Sequence, residues 1–174
     1  MTRKTIVLIA VLLFISKSTA IYINSAPKTL YVYSETDNTF DKAVQLIKEN
    51  EGWHGKKHYP YVGYGHKLTP KDTFNYNISE DFADKLLRHD LLQKCAVFRR
   101  YGKDSLLLGV LAYNVGEYNI LGDQNKPVSK LIKKLDTGNR DIYNEYISFC
   151  HHKKKIIPSL KRRRQREFEL LYKK

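Results

Sequence analysis

The sequence predicts a mainly α-helical α+β fold, with helices around one core and a small irregular β-hairpin beside the first of them. Three observations carry this. From Thr39 onward, apolar residues recur at helical spacing over most of the chain. One stretch, Gly55 to His66, breaks the pattern with Tyr, Gly, His and an internal Pro60. The composition fits one packed domain: 174 residues, 42% of them apolar and 13 of them Tyr, can bury a core and do not read as disordered.

Residues 1–20 read as a leader outside the fold. Arg3 and Lys4 precede the apolar run Ile6 to Ile15, and Ser18-Thr19-Ala20 offers small residues where a signal peptidase cuts. The run is short of the roughly 20 residues a membrane span needs, so no stable span is expected once it is removed. Residues 21–38 form a polar, Tyr-containing extended lead-in, and residues 39–174 the folded domain. The first helix starts after an N-cap at Asn38 or Thr39, follows Phe40, Val44 and Ile47, and stops at Gly52. The hairpin follows, then a loop over Lys67 to Asn77. Ser79, with Glu80 and Asp81 behind it, starts a helix reaching about Arg99, with Phe82, Leu86, Leu87 and Leu91 on one side. A third helix opens at Asp104 or Ser105; Leu106 to Val115 is apolar on nearly every face, so it should be central and buried. Shorter helices are expected over Pro127–Leu135 and Asn139–Cys150, and a closing helix over Pro158–Tyr172.

The chain carries a formal charge of +13, and removing Arg3, Lys4 and Lys17 with the leader leaves +10. A basic exported protein is drawn to anionic partners. Export favours bacterial wall over nucleic acid, although Lys161 to Arg166 has the composition of a nucleic-acid patch. Export also permits a disulfide, for which Cys95 and Cys150 are the only pairing; two buried thiols are the alternative. His54, His58 and His66 lie in or beside the hairpin with no Cys or acid among them. They read as surface and hydrogen-bonding residues, and neither a metal nor a cofactor is expected.

On a helical wheel, Phe40, Val44 and Ile47 fall close together on one face. Glu51 falls in the middle of that apolar stripe, whereas Glu49 falls on the opposite, outer face. A carboxyl among apolar neighbours favours its neutral form, and a neutral acid can protonate a glycosidic oxygen. The bland reading is a helix-terminal Glu paired with an Arg. The closing helix supplies such partners. Its wheel puts Arg163, Arg164 and Glu167 on the face that also carries Leu160 and Leu171. Charges there must pair, with Glu51 or locally with Glu167. Trp53, Tyr59, Tyr61 and Tyr64 crowd beside Glu51 and are too many to bury in so short a hairpin, which favours a sugar-stacking groove over a satellite core.

These residues resemble the phage-type lysozymes, family 24 of the glycoside hydrolases. Glu51-Gly52 followed by Gly63-Tyr64-Gly65-His66, the segments Ile78-Ser79-Glu80 and Leu86 to Leu91, Leu111-Ala112-Tyr113-Asn114-Val115-Gly116, and Leu160, Arg163, Arg164, Glu167 and Leu170 occur in the family's order. The closest resemblance is to lysozyme-like proteins of Bacteroides-type conjugative transposons, through Glu51-Gly52-Trp53-His54 and Tyr61-Val62-Gly63-Tyr64-Gly65-His66. The resemblance implies a lysozyme-like fold, a monomer and an exported peptidoglycan glycosidase, with secretion or conjugation machinery as a further partner. It implies Glu51 as catalytic acid, Arg163 as its ion-pair partner with Arg164 as fallback, His66 and Asp90 as a structural ion pair, and Asn114 near the cleft base.

One departure bears on mechanism. The family carries an Asp and a Thr between the two glycine motifs, whereas Trp53 to Val62 holds neither, and Tyr61 stands in the place of the Thr. The two-carboxylate scheme of glycoside hydrolysis is therefore not visible. Three schemes remain: water oriented by His58, Tyr59 or Tyr61; a single Glu acting as in lytic transglycosylases; or wall binding without cleavage.

Overall fold

Phe40, Val44 and Ile47 lie on one buried face of α1 (Asn38–Glu51) in a computed structural model that describes residues 38–153 and 155–173. The leader and all of the lead-in but Asn38 lie outside the described residues. At the hairpin, β1 (Tyr61–Val62) pairs antiparallel with β2 (His66–Lys67), Val62 opposite His66, and a bridge joins His54 to Gly63. Helix α2 (Glu80–Val97) is capped by Ser79, whose hydroxyl accepts the N–H of Phe82. Its buried stripe runs through Ala83, Leu87, Leu91 and Cys95, not through Phe82. The Phe82 ring instead meets Phe74 of the preceding loop at 5.0 Å, and it remains substantially exposed.

The apolar run forms α3 (Ser105–Val115), in which every residue from Ser105 to Ala112 is buried. Burying each Leu and Val side chain from Leu106 to Leu111 contributes about 1.5–3 kcal/mol, so this helix anchors the core. It packs most extensively on α2. Gly109 permits that approach: a Cβ there would stand 2.6 Å from Cys95 Sγ and 3.1 Å from the Cys95 backbone nitrogen.

Three short helices follow: α4 (Tyr118–Leu121), α5 (Lys130–Asp136) and α6 (Tyr143–Ile147). The expected helices over 127–135 and 139–150 are shorter, for local reasons. Ser129 accepts the Ile132 N–H and starts α5 late. Asn139 accepts the Asp141 N–H, and Arg140 turns to Asp104 at 2.6 Å, which delays α6. A second hairpin, not expected from the sequence, pairs β3 (His151–His152) with β4 (Lys155–Ile156). Helix α7 (Pro158–Leu171) closes the fold against α1, α3 and α6.

The Cys95–Cys150 disulfide that export would permit does not form; both are buried thiols. Cys95 is taken up at the α2–α3 crossing beneath Gly109, and Cys150 lies beside the His151 ring at the start of β3.

Candidate functional site

Glu51 is the last residue of α1, so the helix carries it on the stripe of Val44 and Ile47 to the edge of the core. Its side chain retains 21% of its exposure, and Arg163 Nη1 of α7 lies 2.8 Å from its Oε1. The contact is ionic without being an aligned hydrogen bond, since neither Glu51 Oε1 nor Arg163 Nη2 has a hydrogen-bond partner. Arg163 is also shared, its Nε donating to Glu167 Oε1 at 2.9 Å.

Glu167 is the hub of this network. Its other oxygen accepts from Arg164 Nη1 at 2.5 Å and from the Tyr146 hydroxyl at 2.9 Å. Arg164 reaches on to donate to Asn114 Oδ1 of α3. Arg164 and Glu167 are fully buried, and their desolvation is offset only by this mutual pairing. Two guanidinium groups thus balance two carboxylates, and α7 fixes Glu51 and Asn114 together. Burial, with Glu167 beside it, pushes the Tyr146 phenol well above its ordinary value.

Several contacts tie the hairpin down. His54 and Gly63 exchange backbone hydrogen bonds at 2.7 and 2.9 Å. The Tyr113 hydroxyl of α3 donates to the Tyr64 carbonyl at 3.0 Å. His66 Nδ1 meets Asp90 of α2 at 2.7 Å, with Asp72 at 3.6 Å from the other ring nitrogen. The hydrogen bond to Asp90 raises the His66 pKa against the opposing effect of burial. Burial chiefly, with the charges of Asp90 and Glu51, raises that of Tyr113.

Between hairpin and helices lies a cavity of about 350 Å³ lined by Glu51, His54, Tyr61, Gly65, Tyr113 and Asn114. Of the residues singled out in the sequence, Glu51, Tyr61 and Asn114 line it, and Arg163 stands against Glu51. The others do not. The His58 ring uses Nδ1 to accept the Gly55 N–H at 3.1 Å. Tyr59 is 71% exposed. Trp53 stands edge-on to Tyr64, whose hydroxyl donates to Glu80 and whose ring carries Lys48 Nζ at 4.8 Å. Tyr64 is therefore engaged with α1 and α2 and not with the cavity.

Sequence reading missed His54 and Tyr113 as cavity residues. Tyr113 carried a local signal, being the one aromatic in an aliphatic helix and next to Asn114. His54 carried none, because its direction depends on the distant bridge to Gly63.

The family model described as "Phage lysozyme" matches residues 48–167, more than half of the chain. It spans Glu51, the cavity, and α7 as far as Glu167. A search of curated proteins gave no match.

Proposed function

The chain belongs to the phage lysozyme family, a family of peptidoglycan glycosidases, and from that membership we propose that it is a muramidase, cutting glycan strands with Glu51 as general acid. The observation that carries the reading is one partly exposed carboxyl at the end of α1, on the wall of a sugar-sized cavity, with a guanidinium 2.8 Å from it. Glu51 gives its proton to the glycosidic oxygen. Arg163 then stabilises the carboxylate left behind, and its hydrogen bond to Glu167 holds it in place beside Glu51. The Asn114 oxygen is held by Arg164, which leaves the amide N–H₂ group to donate to a sugar hydroxyl. The Tyr61 ring, 42% exposed, offers a face for stacking. Trp53 and Tyr59 extend the aromatic surface outside the cavity, and Tyr64 supports Trp53.

We place the enzyme outside the cytoplasm, delivered by residues 1–20, with residues 39–174 as the working domain. Among the described residues, no helix is long and apolar enough to cross a membrane. The occasion proposed is local opening of the wall for a conjugation or secretion apparatus, supported by the resemblance through Glu51-Gly52-Trp53-His54.

Purified peptidoglycan incubated with protein lacking the leader tests this by mass spectrometry of the products. Fragments with hydrated reducing ends are expected. Anhydro ends would reassign the enzyme as a single-Glu transglycosylase, the alternative favoured by a hairpin without an acid. Binding without release would make it a wall-binding protein.

A further inference from the structure

Hydrolysis needs a second group to take the proton from the attacking water, and Trp53 to Val62 contains no carboxylate to do so. We propose that His54 is that group, acting through Nε2; the assignment rests on the glycosidase reading above.

The cavity lining narrows the choice to one residue. Gly65 has no side chain, and Glu51 is the proton donor. Asn114 is an amide whose oxygen is occupied by Arg164. Tyr113 donates its hydroxyl proton to the Tyr64 carbonyl, and its burial works against phenolate. A phenol such as Tyr61 is a donor and not a base at neutral pH. The imidazole of His54 is what remains. His58, the neighbouring imidazole, has its Nδ1 committed to the Gly55 N–H and does not line the cavity.

His54 is also held as a positioned group should be. Its backbone is clamped to Gly63 in both directions. Its ring is fixed by His58, with centroids 4.9 Å apart, and by Tyr61 at 6.3 Å. Its Nδ1 is enclosed with no protein partner, which leaves Nε2 as the ring nitrogen to meet a water in the cavity. A cavity of about 350 Å³ leaves room for a sugar ring and for a water, whose share of liquid volume is about 30 Å³.

In the step that follows, the water oxygen bonds to the anomeric carbon as that carbon's bond to the glycosidic oxygen breaks. The Glu51 proton goes to the departing oxygen, and a water proton goes to His54 Nε2. Turnover leaves a Glu51 carboxylate and a His54 imidazolium. Loss of one proton from His54 to solvent and gain of one by Glu51 restore the starting state.

The test compares leaderless wild type, His54→Ala, His54→Gln and Glu51→Gln on purified peptidoglycan, with folding checked by circular dichroism. Both His54 variants should lose about 10²–10⁴-fold in kcat with KM little changed. Free imidazole should restore part of the lost kcat in His54→Ala and none in Glu51→Gln. A structural role alone would raise no such rescue, so folded but unrescued His54→Ala overturns the assignment, as does wild-type kcat in either His54 variant. Should His54→Ala fail to fold, His54→Gln decides by its kcat. Anhydro products from the wild type also overturn it, since no water would then need a base. A wild type that releases nothing overturns the glycosidase reading with it; an active wild type matched by its His54 variants overturns only this assignment.

Discussion

Behind the cavity, α1, α3 and α7 hold Glu51 through buried charges: Arg163, Arg164 and Glu167, joined by Tyr146 and Asn114. In front, the hairpin consists of two-residue strands flanked by exposed aromatics and held by the His54–Gly63 bridge, the Tyr113 hydroxyl, the contacts of Tyr64 with Glu80 and Lys48, and the His66–Asp90 pair. The helical wall is over-determined, because Arg163, Arg164 and Glu167 each have more than one partner and removing any of them breaks several buried contacts at once. The hairpin wall is held by separate contacts whose losses should be small and roughly independent. The acid is thus built into the core, whereas the group facing it rides on a part of the fold that can vary.

The largest test of this contrast is Arg164→Met. It takes from buried Glu167 one of its two guanidinium partners, leaves Asn114 Oδ1 unpaired, and should cost about 3–5 kcal/mol in urea unfolding. A cost under about 1 kcal/mol would show that the network is not what secures the helical wall. Next comes Gly63→Ala. Gly63 has φ 58°, and an added Cβ would stand 2.9 Å from the Ala83 Cβ of α2. The expected cost is about 1–3 kcal/mol, with activity falling further than stability as the hairpin shifts against Glu51. Equal stability and activity would mean that the hairpin does not dock through this contact.

The smallest effect concerns pH. The His66 pKa is raised in the folded state by Asp90. The protonated pair therefore stabilises the fold fully below the ordinary His value of about 6.5, and this stabilisation is lost as pH rises through the raised value. The stability difference between wild type and Asp90→Asn should shrink from pH 5.5 to pH 9 by about 1 kcal/mol or less. A difference that stays flat or grows would contradict the pairing.

Much of the helical wall could be read from periodicity alone. The wheel placed Glu51 among Phe40, Val44 and Ile47, and it put Arg163, Arg164 and Glu167 on a face that had to pair. The mostly helical fold and the buried α3 followed from the same reasoning, and the hairpin beside α1 from its Tyr, Gly, His and Pro content. What the sequence did not disclose is non-local. Phe82 fits a helical stripe as well as Ala83 does, and only docking of Gly63 and Phe74 decides between them. Cys95 and Cys150 were the only pairing available, but no local pattern shows that one lies under Gly109 and the other beside His151. His54 looked like a surface residue because nothing near it in sequence turns it inward. The β3–β4 hairpin was hidden because His151, His152, Lys155 and Ile156 are all exposed, so no buried face imposes an alternating pattern on them.

Release of soluble fragments from purified peptidoglycan by wild type and Glu51→Gln, at equal concentration and with matched unfolding curves, tests the central claim most directly. The expected result is a loss of at least about 10²-fold in the variant. Equal release by a folded variant would contradict the assignment of Glu51, however well its surroundings suit a proton donor.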